Sequence, residues 1–111
     1  MVKSISVLGS TGSIGRQSLD AAERLGIRVE AMTANKNTEL FERQLRRFRP
    51  KFAAVYDAAA FHDLRVRIRD LDIELVPGME GLRRAAAYEG TDAVVTAVSG
   101  SVGLRPTLDA I

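Results

Sequence analysis

Three evenly spaced glycines follow a short apolar run in the stretch SVLGSTGSIG, and this feature limits the possible folds more than any other. An apolar strand that leads through a glycine-rich loop into a helix opens a βαβ unit, whose loop offers main-chain N–H groups and a helix N-terminus to a phosphate. We expect Gly9 to make a tight turn, Gly12 to let a pyrophosphate approach the main chain, and Gly15 to let the first helix pack closely on the sheet.

The loop has the spacing G-x-x-G-x-x-G, one residue longer than the G-x-G-x-x-G pattern of many dinucleotide-binding proteins. Here a strand-like run precedes the loop, a helical stripe follows it, and a second strand comes at the expected distance. Ser10, Thr11 and Ser13 are expected to add hydroxyl donors. We therefore predict dinucleotide binding, the alternative being that the glycines only make a tight turn.

Short apolar runs alternate with longer segments of helical periodicity along the whole chain. The runs lie at residues 5–8, 28–33, 52–56, 73–76 and 93–96. This alternation predicts an α/β fold, with a Rossmann-like doubly wound, mainly parallel sheet of about five strands and helices on both faces. We expect the strand order 4-3-2-1-5, in which the short fourth run is an edge strand or irregular.

Each of the first four runs is expected to lead into a helix. In the first helix, Ile14, Ala22 and Leu25 are predicted to share the buried face, and Asp57 is predicted to cap the third helix. A further helical stripe begins near the end of the chain, so we expect the domain to be truncated there, with an open sheet edge beside the fifth strand. This stripe is formed by Leu104, Leu108 and Ile111.

The chain has 111 residues, the size of one domain, and 46% of them are apolar. Its formal net charge of +2 is far from the dense cationic surface of a dedicated nucleic-acid binder. It has no cysteine, which excludes disulfides, a thiolate nucleophile and cysteine metal ligands, and is compatible with the cytoplasm. No signal-peptide pattern and no apolar run of about 18 residues is found, so we expect neither secretion nor membrane insertion.

The residues after the second run indicate which dinucleotide is bound. NAD-binding folds usually place a carboxylate there to accept the ribose hydroxyls, whereas this chain has Asn35, Lys36 and Asn37. Two amides and an ammonium suit a 2′-phosphate dianion, which predicts NADPH. Alternatively, Asn37 caps the helix that starts at Thr38 and Lys36 is a solvated loop residue, although capping would not exclude contact with a phosphate.

A third candidate segment is TAVSGSVGL at residues 96–104. If the fifth strand lies beside the first, this small-residue loop faces the same crevice, and its main chain can pass along the ribose of the cofactor. The alternative is a plain turn that leads into a helix from Ser101 or Gly103.

Taken together, LGSTGSIG, ANKN and AVSGSVGLRPTLDAI resemble the N-terminal part of the 1-deoxy-D-xylulose 5-phosphate reductoisomerases. The resemblance covers essentially the whole chain, and GSTGSIG followed by NKN is fairly specific for that family. It implies an enzyme that rearranges 1-deoxy-D-xylulose 5-phosphate and reduces the aldehyde intermediate with NADPH. The product is 2-C-methyl-D-erythritol 4-phosphate, a precursor of isoprenoids. For the complete enzyme it also implies a divalent metal, Mg²⁺ or Mn²⁺, and a homodimer.

The resemblance assigns roles to individual positions. It places Ala97 and Val98 near the nicotinamide, and Asn35 stands where the family often has glycine. Gly9 makes the turn, and the contacts to the pyrophosphate are implied for Thr11, Gly12, Ser13 and Ile14. Those to the 2′-phosphate and adenosine are implied for Asn35, Lys36 and Asn37.

The metal-binding carboxylates, substrate-phosphate residues and catalytic flap of the family lie beyond this point in the chain. We therefore expect residues 1–111 to be the cofactor-binding domain, without catalytic or metal-binding residues and inactive alone. Two other interpretations stay open. One is the cofactor domain of an aspartate-semialdehyde dehydrogenase type of reductase, whose cysteine nucleophile would lie beyond Ile111, and the other is a non-catalytic NADP(H)-binding module.

The remaining polar features have simpler interpretations. His62, the single histidine, is expected in solvent on a helix. A basic cluster near the end of the second helix is expected to be a solvated face that favours the helix dipole. Its members are Arg43, Arg46, Arg47, Arg49 and Lys51.

Overall fold

The computed structural model describes residues 2–96 with their side chains and residues 101–104 by their main chain. Up to β5, the strands and helices alternate in the order that the apolar runs predict. They are β1 (Ser4–Leu8), α1 (Ser13–Leu25), β2 (Arg28–Ala34), α2 (Thr38–Phe48), β3 (Phe52–Val55), α3 (Ala58–Arg67), β4 (Glu74–Pro77), α4 (Gly78–Ala86), β5 (Ala93–Thr96) and β6 (Ser101–Leu104).

The strands form one sheet in the order β4-β3-β2-β1-β5-β6. The pairs among β1 to β5 are all parallel, which confirms the predicted order of five strands and the edge position of the fourth. Since the chain turns back across the sheet between β4 and β5, the carboxyl ends of β1 and β5 flank a topological switch point, where open α/β sheets bind ligands.

The sixth strand corrects the prediction for the end of the chain. Residues 101–104 pair antiparallel with β5, where the sequence had indicated a loop and, at Leu104, the start of a helical stripe. The rest of that predicted stripe, Leu108 and Ile111, lies outside the described residues. The pairing satisfies main-chain groups along the edge of β5, which was expected to be open. Such an interaction between segments is not visible in local periodicity, and four residues are too few for a reliable strand pattern.

Both faces of the sheet are covered by helices, as predicted. Alternate residues of each strand point to opposite faces, so Ala53 and Val55 join the larger core under α1, α2 and α3. Phe52 and Ala54 point the other way and pack with Ala85 of α4. The central strands are buried except for Leu8 and Arg28 at strand ends, whereas edge strand β4 is half-exposed.

Helix α1 is rotated relative to its predicted orientation. Its buried residues are Gly15, Leu19 and Ala22, whereas Ile14 is 38% and Leu25 is 72% exposed. The rotation follows from the close contact of Gly15 with the preceding loop, which turns Ile14 outward. The predicted cap at Asp57 is confirmed, since its carboxylate accepts from Ala60 N at 2.9 Å. Helix α1 ends at Gly26, which has φ 72°.

The basic cluster on α2 is largely paired with carboxylates. Arg46 donates to Asp70 at 2.8 Å and to Glu42 at 3.0 Å, and Arg67 of α3 donates to Glu42 at 3.2 Å. Arg47 forms an ion pair with Glu23 of α1. The cluster therefore links α2 to its two neighbouring helices, a role that the prediction of a simple solvated face missed.

No helix in the described part of the chain is both long and apolar enough to span a bilayer.

Candidate cofactor site

The glycine loop leaves β1 through a turn that needs glycine. Gly9 has φ 82°, in the left-handed region that side chains disfavour, so the predicted tight turn is confirmed. Its N–H donates to the Thr33 carbonyl oxygen at 3.1 Å and to Thr33 Oγ1 at 3.0 Å. Ser10 N donates to the same carbonyl at 2.9 Å. The start of the loop is therefore anchored to β2.

Gly12 and Gly15 differ in what the fold demands of them. A Cβ on Gly15 would overlap the Gly9 carbonyl oxygen and lie 2.7 Å from the Ser10 Cα, so the close approach of α1 requires glycine. Gly15 thus allows the close approach that was predicted, but the helix contacts the preceding loop at this position and not the sheet. A Cβ on Gly12 would lie 3.6 Å from the Gly9 oxygen, an ordinary contact, and Gly12 has φ −80°. The fold alone does not require glycine at position 12.

The N-terminus of α1 is left open by the loop. Gly12 is the N-cap residue, and no side chain caps the helix there. The first N–H groups of a helix have no partner within it, and they lie at the positive end of the helix dipole. Gly12, Ser13 and Ile14 are exposed and Thr11 is half-buried, so an anion can reach the helix N-terminus. The Gly12 N–H itself donates to the Gly9 carbonyl oxygen at 3.2 Å, which leaves the N–H groups of Ser13 and Ile14 for an anion.

Ser10 does not offer its hydroxyl to a ligand, which corrects the prediction for this residue. Its side chain is fully buried and donates to Gln44 Oε1 of α2 at 2.7 Å. Gln44 Nε2 in turn donates to the Ser10 carbonyl oxygen at 2.8 Å. Sequence reasoning missed Gln44, although its place on the apolar face of α2 between Phe41 and Phe48 was a usable signal.

The loop after β2 lies at the same sheet edge as the glycine loop, because Leu8 and Thr33 are partners in neighbouring parallel strands. Its three candidate residues, Asn35, Lys36 and Asn37, are all exposed. Lys36 forms no ion pair with a side chain that the structure describes, in contrast to Arg46 and Arg47.

Asn37 has the capping role that was considered as an alternative. Its Oδ1 accepts from Leu40 N at 3.3 Å at the N-terminus of α2, which starts at Thr38 as expected. The side-chain amide N–H groups of Asn37 take no part in that bond. The cap therefore fixes this side chain at the helix N-terminus without using its donors.

A small cleft connects the two loops. It has a volume of about 220 Å³ and a mostly apolar lining that includes Gly9, Asn35, Leu82 and Tyr56. Tyr56 follows β3 and is 51% exposed, so its ring is available to a flat ligand. Sequence reasoning missed Tyr56 as a site residue, although an aromatic residue at the carboxyl end of a predicted parallel strand was a usable signal.

The third predicted segment is only partly described. Thr96 pairs with Leu8, so β5 ends beside the glycine loop as expected. Ala97 and Val98, predicted near the nicotinamide, lie outside the described residues.

His62 is exposed, as expected, and contacts the Phe61 ring edge to face at 5.5 Å. Within residues 2–96, no three histidine, aspartate or glutamate side chains are grouped to hold a metal ion.

A sequence profile of the 1-deoxy-D-xylulose 5-phosphate reductoisomerases matches residues 5–111. The chain belongs to this family. Curated reductoisomerases from Ruminiclostridium cellulolyticum and Acetivibrio thermocellus are 43% and 50% identical to it over 111 residues. Each match covers 100% of this chain and 29% of the relative, so the chain spans less than a third of the length of these relatives.

Solved structures of reductoisomerases have the same fold. The enzyme from Zymomonas mobilis in complex with NADPH matches with a TM-score of 0.76 and 32% identity, over 85% of this chain and 25% of that one. A reductoisomerase in complex with NADPH, fosmidomycin and magnesium matches with a TM-score of 0.77 and 27% identity, over 84% and 24%. Family membership favours the first of the three interpretations and decides against the aspartate-semialdehyde dehydrogenase type.

Proposed function

We propose that this chain is the NADPH-binding domain of an enzyme that converts 1-deoxy-D-xylulose 5-phosphate into 2-C-methyl-D-erythritol 4-phosphate for isoprenoid synthesis. The observation that carries the proposal is the uncapped N-terminus of α1 at Gly12, where the fold tolerates a side chain but the sequence has none. Two structurally similar reductoisomerases were solved with NADPH, which supports the choice of ligand.

The pyrophosphate would bind at the start of α1. Ser13 and Ile14 are exposed at the helix N-terminus without a side-chain cap, so their N–H groups can donate to the phosphate, and the Thr11 and Ser13 hydroxyls can add donors. The Gly12 N–H already donates to the Gly9 carbonyl oxygen at 3.2 Å, so Gly12 contributes a main chain without a Cβ. The helix dipole favours negative charge at this end by about 0.3–1 kcal/mol. Gly12 lets the phosphate oxygens come within hydrogen-bonding distance of the main chain because no Cβ stands between them.

The 2′-phosphate and adenosine would bind after β2. The Lys36 ammonium is exposed and has no described ion-pair partner, while Asn35 and Asn37 offer side-chain amides beside it. Hydrogen bonds between charged groups are about twice as strong as neutral ones, so Lys36 should account for the preference for NADPH. Ala97 and Val98 remain our prediction for the nicotinamide side.

NADPH, once bound, supplies a hydride for the reduction. The role of this chain is to hold the cofactor by its phosphates, and the described residues do not form a site for Mg²⁺ or Mn²⁺. We therefore expect the metal and sugar-phosphate sites in parts of the enzyme beyond this domain, which alone should be inactive. The complete enzyme is proposed to be a cytoplasmic homodimer.

The test is a fluorescence titration of the chain with NADPH and, in parallel, with NADH at one ionic strength. We expect a preference for NADPH of at least about tenfold, equal to ~1.4 kcal/mol. Equal affinity for the two cofactors would contradict the 2′-phosphate site, and no binding of either would contradict the proposal for this chain.

The second candidate function is that of a non-catalytic NADP(H)-binding module, which predicts the same preference for NADPH in this titration. Joining the chain to the remainder of a reductoisomerase relative distinguishes the two. Turnover of 1-deoxy-D-xylulose 5-phosphate by that chimera supports the enzyme domain, while tight NADPH binding without turnover favours the module.

A further inference from the structure

The buried pair Ser10 and Gln44 joins the glycine loop to α2 by two reciprocal hydrogen bonds. The Ser10 hydroxyl donates to Gln44 Oε1 at 2.7 Å, and Gln44 Nε2 donates to the Ser10 carbonyl oxygen at 2.8 Å. Ser10 is fully buried and Gln44 is 7% exposed. A buried polar group without a hydrogen-bond partner lowers the stability of the fold, so each of these two side chains needs the other as its partner.

The pair completes an enclosure around the first residues of the loop. Thr33 of β2 accepts from Gly9 N and Ser10 N, and Gly15 of α1 presses on the Ser10 main chain. Gln44 of α2 fixes the remaining polar groups of Ser10, its carbonyl and its hydroxyl. Three elements therefore determine the direction in which the chain continues from Ser10 to Gly12.

The groups that would meet the pyrophosphate lie just beyond this fixed point. Gly12, Ser13 and Ile14 are exposed, and no side chain caps their helix. Binding sites gain from groups that are already held in the bound geometry, because less order is lost when the ligand arrives. The position of Ser10 should therefore affect the affinity for a pyrophosphate that binds at the start of α1.

Helix α2 also connects the two phosphate sites of the proposed function. It begins at the Asn37 cap, next to Lys36, and seven residues later it carries Gln44. We propose, resting on that function, that Gln44 and Ser10 are a positioning pair that holds the glycine loop for the pyrophosphate of NADPH. Neither side chain touches the cofactor.

The test compares two ligands on Gln44→Met, which preserves the length of the side chain and removes both hydrogen bonds. Adenosine 2′-phosphate probes the Lys36 side alone, whereas NADPH also needs the glycine loop. We expect Kd for NADPH to rise about tenfold, since both polar groups of Ser10 lose their partner, and Kd for adenosine 2′-phosphate to stay within about twofold.

Ser4→Ala is the matched control. The Ser4 hydroxyl, at the start of β1 and so at the end of the sheet opposite to the glycine loop, donates to the Gly90 carbonyl at 2.8 Å. Ser4→Ala therefore also loses a hydrogen bond of a buried serine, here a partly buried one. It should lower stability and leave both affinities unchanged. The Ser10→Ala variant should raise Kd for NADPH, and its effect should not add to that of Gln44→Met, because the two residues form one unit.

The results distinguish a failure of the positioning role of Ser10 and Gln44 from a failure of the proposed NADPH-binding function. If the unmodified chain binds neither ligand, the proposed function fails and the inference falls with it. If it binds both and Gln44→Met retains normal affinity for NADPH, or loses both ligands equally, the pair is structural only. Should Gln44→Met fail to fold, the Kd ratio measured on Ser10→Ala decides in the same way.

Discussion

The main chain of Gly15 lies so close to the carbonyl of Gly9 that no side chain fits between them. A Cβ on Gly15 would overlap that oxygen and lie 2.7 Å from the Ser10 Cα. A Cβ on Gly12 would meet the same oxygen at 3.6 Å, which is ordinary contact. Two glycines of one motif thus differ: the fold requires the one at position 15, whereas the one at position 12 is explained only by the proposed pyrophosphate site.

This difference predicts opposite results for two alanine variants. Gly15→Ala should lower the free energy of unfolding by about 3 kcal/mol or more, because main-chain atoms would have to move apart. Gly12→Ala should cost less than about 1 kcal/mol, yet weaken NADPH binding about tenfold, because its methyl group obstructs the pyrophosphate. Urea unfolding and NADPH titration measure the two effects, and a Gly12→Ala variant with normal affinity would contradict the pyrophosphate site.

Lys36 is expected to determine the choice between NADPH and NADH. Lys36→Ala should raise Kd for NADPH about tenfold and leave Kd for NADH within about twofold, because only NADPH carries the 2′-phosphate. The matched control is Lys51→Ala, which removes an exposed lysine 3.9 Å from Glu30 at the opposite edge of the sheet. Equal losses for the two cofactors, or the same change with Lys51→Ala, would show that the effect of Lys36 is only general charge.

The sequence was sufficient to predict the parallel sheet and the loop at its edge, since both follow from short-range patterns. The apolar run before Gly9 and the spacing of the glycines are local signals, and the strand order follows from chain connectivity. The predicted buried face of α1 was wrong. Ile14 and Leu19 belong to two different apolar stripes of this helix, and periodicity alone does not show which stripe packs against the sheet.

The residues that sequence reasoning missed depend on contacts between distant segments. Gln44 can be recognised as a partner only once Ser10 is known to lie beside it, 34 residues away along the chain. Gly81 looks like an ordinary helical glycine, yet a Cβ there would lie 2.6 Å from the Val76 carbonyl oxygen and 2.8 Å from Ala54 Cβ. Such close approaches are properties of the packed structure and leave no periodic signal.

Asp92 should make the free energy of unfolding depend on pH in the acidic range. Its carboxylate accepts from Lys3 N at 2.7 Å and from Ser4 N at 3.3 Å, and the first of these bonds holds the pKa of Asp92 below its ordinary value. A lowered pKa in the folded state stabilises the protein at pH values above the ordinary pKa of about 3.9. This contribution is lost as the pH falls below that value and through the lower pKa of the folded state.

Asp92→Asn should therefore be less stable than the unmodified chain at neutral pH, and the difference should shrink as the pH approaches 3. Urea midpoints between about pH 7 and pH 3 provide the measurement. Asp72→Asn removes an exposed carboxylate without a described hydrogen bond and is the control. A constant difference between Asp92→Asn and the unmodified chain across this range would contradict the prediction.

Asn37 allows the capping role and the proposed phosphate contact to be separated. Asn37→Asp retains an oxygen that accepts from Leu40 N, now 3.3 Å from Asn37 Oδ1, and adds a charge that the helix dipole favours. The free energy of unfolding should therefore be unchanged or rise by about 0.3–1 kcal/mol. The same charge would repel a 2′-phosphate, so the preference for NADPH over NADH should fall about tenfold.

Asn37→Ser completes this comparison, because serine also caps helices but carries no charge. It should keep both the stability and most of the preference for NADPH. If Asn37→Asp keeps the full preference while remaining folded, then Asn37 lies away from the 2′-phosphate and its role is restricted to the cap. If both variants lose the preference equally, the amide donors of Asn37 bind the phosphate, and charge repulsion is not the main effect.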